Sequence, residues 1–355
     1  MDNWYKFIKA GMTRAQILTL IKNFLYFEDI FSSEGEKKLK ELGIKEEILL
    51  KIREAYNINI DPDLEKFGEN GIRAISVNEK EYPEYLRNIS QPPVYIYVKG
   101  RGYFSEKSIG VVGTRRISEY GRSVTEKIVE ELVNSGVTIV SGLAVGIDRV
   151  SHEKCLKMGG NTVAVVGSGL DIIYPYENRR IWEKIGEEGL IVSEYPLGFE
   201  PSRWSFPERN RIIAGLSRGI FVAESYKEGG ALITAKIAQD ESREVFTVPG
   251  NIFHPSVEGN NMLIRKNIAI SVNTGYDIID EFSWDKINIK KKKKELELTG
   301  QEEKIYMLLS SEKGIDELVY ESQMSGKEVL IIVTKLEIRG IIRSISGGRY
   351  KRTEY

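Results

Sequence analysis

Short, unbroken apolar runs dominate the middle of the chain. IGVVG (109–113), TIVSG (138–142), TVAVVG (162–167), LIVSE (190–194), GIFVAE (219–224) and EVFTVPG (244–250) are rich in β-branched residues and mostly close on Gly or Ser. Runs of this length that do not alternate with polar residues mark strands covered on both faces, as in a parallel sheet. Between them lie amphipathic segments, with helix starts expected at Ser118, Asp148, Glu177, Arg209 and Gly229. Parallel neighbours require crossover helices. The pattern therefore predicts an α/β fold, a Rossmann-like doubly wound, mainly parallel sheet with ligands at the carboxyl ends of its strands.

The flanks follow a different period. Residues 1–60 read as a helical module, started by capping boxes at Thr13–Gln16 and Ser33–Glu36. Leu39, Leu42, Ile44, Ile48, Leu49 and Ile52 give it an apolar face across two short helices broken at Gly43. Its LGI turn is similar to helix-hairpin-helix units that touch DNA backbone, although a packing or interaction module is the simpler reading. The α/β core is assigned to 61–285, followed by a Lys-rich linker at 286–298 with an unbroken run from Lys290 to Lys294. Residues 299–355 carry capping boxes at Thr299–Glu302 and Ser325–Glu328, a middle helix over 315–323 and a hairpin around Gly347-Gly348, the order of a winged helix. The third helix, Lys327 to Arg339, is so apolar that it suits protein contact at least as well as groove reading.

Composition narrows the function classes. The chain has 355 residues, 41% hydrophobic, with 51 Lys+Arg against 52 Asp+Glu and a formal net charge of -1. A diffuse basic coat for nucleic acid is excluded, so a polyanion must meet a local basic pocket. One cysteine, Cys155, and two histidines, His152 and His254, predict no metal site, no disulfide and a reducing cytoplasm. No apolar leader or membrane-length run is present, and a soluble protein is expected.

Candidate chemistry gathers at the predicted strand ends. FPERNRIIAGLSRGIFVAESYKEGGALITA (206–235) sets Phe206, Arg209, Arg211 and Arg218 around one buried strand and places Gly229-Gly230 at a helix start. Guanidinium forks and backbone N–H groups at a helix N-terminus are suited to phosphate. VGTRRIS adds Arg115 and Arg116 after a strand; SGLAVGID adds Ser141 and Gly142; GSGLD adds Gly167 and Ser168. Arg203 and Asn210 flank the aromatic, and Thr234 follows the glycines. Phe206 among arginines is a stacking platform for an unpaired base. Asp148 reads as an N-cap, His152 as structural, and Asp171 as a turn or ribose contact rather than a base. Dinucleotide, P-loop, zincin and nucleophile-elbow motifs are absent, so neither a catalytic residue nor a cofactor is expected.

VGTRRISEYG, SGLAVGID, VAVVGSGLDIIYP, FPERNRIIAGLS and GGALITAKIAQDESREVFTVPG, in this order and spacing, closely resemble the DNA-processing protein A family, also called DprA or Smf. The resemblance covers about 71–280. It implies a recombination mediator that binds single-stranded DNA during natural transformation, protects it and loads the RecA recombinase, and whose extended Rossmann core dimerises. By motif match the family's phosphate-binding arginine falls on Arg115, its stacking aromatic on Phe206, a neighbouring basic contact on Arg203, its R-N-R segment on Arg209, Asn210 and Arg211, and its glycine loop on Gly229 and Gly230. The segment after Pro249, through Asn260 to Ile264, resembles the region near the dimer contact. Gly229 stands where the family usually has Ser. The rival reading is a Rossmann-like nucleotide phosphoribohydrolase or nucleotide-binding protein. The stretch Gly229 to Lys236, however, lacks the glutamate that such a hydrolase uses.

Overall fold

The computed structural model describes residues 3–285, 298–345 and 348–352. It divides into two compact units, Met1–Asn288 and Ile289–Tyr355. The Lys290–Lys294 run and Gly347 lie outside the described residues.

The first unit opens with helices α1 (Tyr5–Lys9), α2 (Arg14–Asn23), α3 (Ser33–Glu41), α4 (Glu46–Tyr56) and α5 (Asp61–Glu69). Thr13 and Gln16 form the expected reciprocal capping box. The next cap is Ser32 rather than Ser33: the Ser32 hydroxyl accepts from Gly35 N–H. Phe7, Ile17, Leu20, Ile30 and Ile52 of this module share one core with Tyr95, Tyr97, Leu156, Trp182 and Ile191. Each such side chain contributes about 1.5–3 kcal/mol on burial. The helices are therefore fused to the sheet by the strongest available term.

Then follow β1 (Ile72–Ser76), α6 (Glu84–Arg87), β2 (Tyr95–Gly100), β3 (Ser108–Val112), α7 (Glu119–Asn134), β4 (Thr138–Ser141), α8 (Ile147–Lys157), β5 (Thr162–Val165) and α9 (Arg179–Glu188). The unit is completed by β6 (Leu190–Ser193), α10 (Ser205–Gly215), β7 (Gly219–Val222), α11 (Gly230–Asp240), β8 (Glu244–Thr247), α12 (Glu258–Arg265), β9 (Ile270–Ser271) and α13 (Gly275–Glu281). The strands form one nine-stranded sheet in the order β1-β2-β6-β5-β4-β3-β7-β8-β9. From β6 to β9 every pair is parallel, while β1 and β2 add an antiparallel edge. All six strands read from the sequence are present. β3 to β7 are buried at every residue, which explains their unbroken apolar runs.

Helix starts differ in instructive ways. Ser118 caps α7 through Gly121 N–H, and Gly229 is the N-cap of α11, both as expected. Asp148 does not cap α8. The N-cap is Gly146, and Asp148 turns inward in the first helical turn. Helix α10 begins at Ser205, four residues before Arg209, and α9 begins at Arg179 after a short 3-10 turn at Tyr176–Asn178.

The second unit carries α14 (Gly300–Leu308), β10 (Lys313–Gly314), α15 (Ile315–Ser322), α16 (Gly326–Ile338), β11 (Ile342–Ile345) and β12 (Arg349–Arg352). Thr299–Glu302 and Ser325–Glu328 are the predicted capping boxes. Strands β11 and β12 pair antiparallel, with β10 added to β12. Ile305, Leu318, Val329, Val333 and Leu336 close the core of this unit.

Candidate functional site

The reversal of strand order falls between β3 and β4 on one side and β7 on the other, so β3 leads away in both directions. At such a switch point the loops diverge and leave a crevice at the carboxyl edge. The loop after β3 holds Thr114, Arg115 and Arg116. Thr114 N–H donates to Glu224 O (2.8 Å), and Thr114 O accepts from Ile147 N–H (3.2 Å). Gly146 makes this docking possible. It has φ 88, and a Cβ there would stand 2.3 Å from Thr114 O and 2.8 Å from Arg115 Cα. Only glycine combines that backbone angle with so close an approach.

Arg115 is exposed, and its guanidinium lies 5.5 Å from the centroid of the Phe206 ring. Phe206 sits in the first turn of α10. On its other contact, Tyr174 approaches it with centroids 5.4 Å apart. Gly167 supplies the floor: Ser205 Oγ donates to Gly167 O (2.7 Å), and Phe206 lies 3.3 Å from where a Gly167 Cβ would stand. Cation, aromatic face and second ring thus form one open cradle. Tyr174 was not anticipated, although an aromatic in YPYENRR directly after the GSGLD loop is a usable signal. Arg116, Arg203 and Trp204 are exposed around the cradle's own segments, Trp204 at 57%. A large aromatic so accessible beside an arginine also went unread in the sequence.

Several residues predicted to face a ligand are engaged internally. Arg209 is 4% exposed, and its Nη1 donates to Gly142 O (2.5 Å) and to Val165 O. It braces the carboxyl ends of β4 and β5 from below, because helix α10 starts four residues earlier than expected and turns it inward. Burial lowers its pKa to about 10, opposed by Asp148. Arg211 pairs with Glu194 and donates to Gln91 O (2.8 Å). Arg14 of α2 reaches the same Glu194 (3.3 Å) and Glu208 (3.0 Å), so this cluster ties the N-terminal module to α10. Ser141 Oγ donates to Val111 O (2.6 Å), and Gly142 N–H donates to Asp148 Oδ2 (3.1 Å). Ser168 Oγ donates to Ile172 O (3.3 Å), while Thr234 is buried in α11. Asn210 is half-buried on α10. Where phosphate was expected at Arg211 and at the Gly142 backbone, Arg211 Nη1 and Nη2 and the Gly142 N–H are engaged internally, and Arg211 Nε is buried without a partner.

Helix starts at this edge are also unequal. At α7, the buried Glu224 carboxylate accepts from Ser118 N–H (2.9 Å) and Ser118 Oγ (2.6 Å), so that dipole already holds an anion. Sequence reading missed Glu224. At α11, Gly230 is exposed and a Cβ there would meet nothing within 4 Å. The position of a Gly229 side chain is filled instead by Ser225 Oγ, 2.3 Å from the ideal Cβ, which accounts for the glycine there. Asp171 takes the turn role: both carboxylate oxygens accept from Gly198 N–H (3.0 Å each).

His152 is structural, as read. It is buried, with Nδ1 2.7 Å from Thr162 Oγ1. Burial, and then the Arg209 charge, hold its pKa down from 6.5 to about 3. Between those values the unfolded chain takes up a proton that the folded chain refuses, so stability falls as pH drops through that window. This amounts to about 2 kcal/mol between pH 7 and pH 5. Melting curves across this range should show His152→Gln losing less stability on acidification than the wild type; equal losses would refute the assignment.

A family model described as DNA recombination-mediator protein A matches residues 73–283, the sheet and all the loops just described. The chain belongs to that family. Among curated relatives, the DNA processing protein DprA of Streptococcus pneumoniae is 36% identical over 287 residues, covering 79% of this chain and 97% of its own. DprA of Bacillus subtilis is 37% identical over 246 residues, covering 69% and 81%. Protein Smf of Synechocystis is 40% identical over 252 residues, and the match spans 66% of this chain but only 63% of that protein. The crystal structure of the S. pneumoniae protein superimposes with a TM-score of 0.69 at 34% identity, over 79% of this chain and 98% of that one. A structure of DNA processing protein A from Helicobacter pylori, described for its single-stranded DNA binding mode, gives a TM-score of 0.54 at 28% identity, over 60% and 95%. The matched span includes the loops that build the cradle. Among the described residues no helix is long and apolar enough to cross a membrane, and no group of His, Cys, Asp and Glu is placed to hold a metal.

Proposed function

We propose that this protein binds single-stranded DNA at the Arg115–Phe206–Tyr174 cradle and acts as a recombination mediator in the cytoplasm, protecting incoming DNA in natural transformation and loading RecA. The carrying observation is the guanidinium of Arg115 held 5.5 Å over the Phe206 ring at the carboxyl edge of the sheet. A base stacks on an aromatic face whatever its identity, and a cation beside it takes the adjoining phosphate. Arg116, Arg203 and the exposed Gly230 at the start of α11 extend the phosphate path. Gly167 and Gly229 serve by close packing rather than by contact. Three carboxylates at this edge have partners, Asp148 with Gly142, Asp171 with Gly198 and Glu224 with Ser118, which supports binding without catalysis. Dimerisation through the α/β unit is part of the proposal: Ile252 and Phe253 in the segment after Pro249 are 77% and 84% exposed, a surface suited to a second copy. The second unit is read as a winged helix used for protein contact.

The test is fluorescence anisotropy with a labelled oligothymidylate and a matched duplex across a salt series. The wild type should prefer the single strand. Arg115→Ala should weaken binding of all sequences alike and flatten the salt slope by about 0.7, the share of one phosphate on a single strand. A changed sequence preference instead, or an unchanged slope, would refute the phosphate role of Arg115.

A further inference from the structure

Arg218, which the sequence places beside a phosphate-binding strand, does not reach the cradle. It directly precedes Gly219, the first residue of β7, and so lies at the opposite, amino edge of the sheet. Strands β3, β7 and β8 are neighbours, and each is directly preceded by a basic residue: Lys107, Arg218 and Arg243. The register pairs Gly219 with Glu244 and Ile109 with Gly219, so Arg218 and Arg243 stand side by side and Lys107 lies one residue further out, beyond Ser108. Neighbouring strands are about 5 Å apart. Three cations thus gather on one edge, where the carboxylates acting on them are Asp285 on Lys107 and Glu241 on Arg243.

Aromatic rings are interleaved with it. The Arg218 and Arg243 guanidinium groups each stand 5.0 Å from the Tyr85 ring centroid, Arg218 also lies 5.6 Å from Phe282, and Lys107 lies 5.7 Å from Trp284. Phe282 and Trp284 are stacked at 4.6 Å. Among the described residues neither arginine forms an ion pair with a carboxylate. Arg218 donates to Tyr85 Oη and Arg243 to Tyr85 O (3.0 Å), leaving most of their ten N–H groups, by the chemistry of the side chain, without those partners. Arg243 Nε is buried with no partner at all. Lys107 Nζ donates to Asp285 O (2.9 Å). Burial and the charge of Arg218 lower the Arg243 pKa, with Tyr85 and Glu241 pulling the other way, as expected of two adjacent, incompletely neutralised cations.

We propose that the Lys107–Arg218–Arg243 row, with Tyr85, Phe282 and Trp284, is a second contact for single-stranded nucleic acid on the edge opposite the cradle. The proposal rests on the single-strand reading of the cradle and extends its footprint. Spaced cations meet successive phosphates, and half-buried rings between them offer base-stacking faces. The two edges are separated by β7, about 17 Å for five residue steps. A short strand occupies the cradle alone, and a longer one engages both.

The experiment compares oligothymidylates of about 8 and about 30 nucleotides, lengths on either side of common site sizes. The full chain carrying Lys107→Gln, Arg218→Gln and Arg243→Gln is measured beside Arg218→Lys/Arg243→Lys and Arg115→Ala. The triple variant should bind the long strand roughly tenfold more weakly, with a salt slope lower by about 2 for three lost charges, and bind the short strand as the wild type does. The lysine pair should retain most of the slope. Equal affinity of the triple variant for the long strand, or parallel losses on both strands that track a lowered melting temperature, would overturn the proposal. Failure of Arg115→Ala to weaken the short strand would instead overturn the cradle, independently of the outcome for the row.

Discussion

Replacing Gly146 by alanine is expected to cost single-strand affinity as heavily as removing the Arg115 side chain, about tenfold or more, although residue 146 need not touch DNA. The added Cβ would stand 2.3 Å from Thr114 O, a backbone atom that cannot rotate away. The φ of 88 adds strain for any residue with a Cβ. Relief requires the 114–116 loop to lift, and that loop aims Arg115 at Phe206. Gly159 is the control. It also has positive φ (70), but nothing lies within 4 Å of its Cβ position. Gly159→Ala should lose about 1 kcal/mol of stability from backbone strain and keep full affinity. Anisotropy titrations of the two variants separate displacement of the loop from general strain; equal affinities would mean that the loop position does not govern binding.

Arg209→Met should produce the larger loss of stability, about 3–5 kcal/mol, the cost of leaving a buried group without its charged partner. It corresponds to a fall in melting temperature on the order of 10 °C for a unit of this size. Gly142 O and Val165 O lose their donor together, and the buried Asp148 carboxylate, whose pKa is raised by burial against the pull of Arg209, loses a nearby positive charge while keeping its Gly142 hydrogen bond. Adding Asp148→Asn to Arg209→Met removes the orphaned charge and should recover part of the loss. Thermal melts of the single and double variants check this. Loss of DNA affinity from Arg209→Met without loss of stability would instead return Arg209 to the binding surface.

The fold was legible because parallel strands carry their own signal. Runs such as TVAVV and GIFVA are apolar on both faces, and no other environment tolerates them so well. Strands β1 and β2 were not read, since they join the sheet edge antiparallel, β2 pairing with β6 from Tyr97↔Ser193 to Gly100↔Leu190. Candidate site residues were legible by type but not by direction. Arg115 and Phe206 meet as their motifs imply. Arg209 and Arg211, two residues apart in the same FPERNR segment, turn inward because α10 begins at Ser205, and the boundary of a helix sets which of its residues faces the core. Polar groups at the strand ends were misjudged for a related reason. A buried N–H such as that of Gly142 must find a partner, and Asp148 supplies it from the following helix, a contact that spacing alone does not reveal. Arg218 stands at the other end of β7 because the sequence distance of a few residues spans the whole thickness of the sheet edge.

The central claim is that Arg115 and Phe206 act as one unit on a strand. A double-mutant cycle with Arg115→Ala and Phe206→Leu, read as affinity for a short oligothymidylate at fixed salt, tests it most directly. Phe206→Leu should cost about 1–3 kcal/mol of stacking. In the double variant the losses should fall short of their sum by about 0.5–3 kcal/mol, the range for residues in contact. Strict additivity, or wild-type affinity in either single variant, would contradict the cradle.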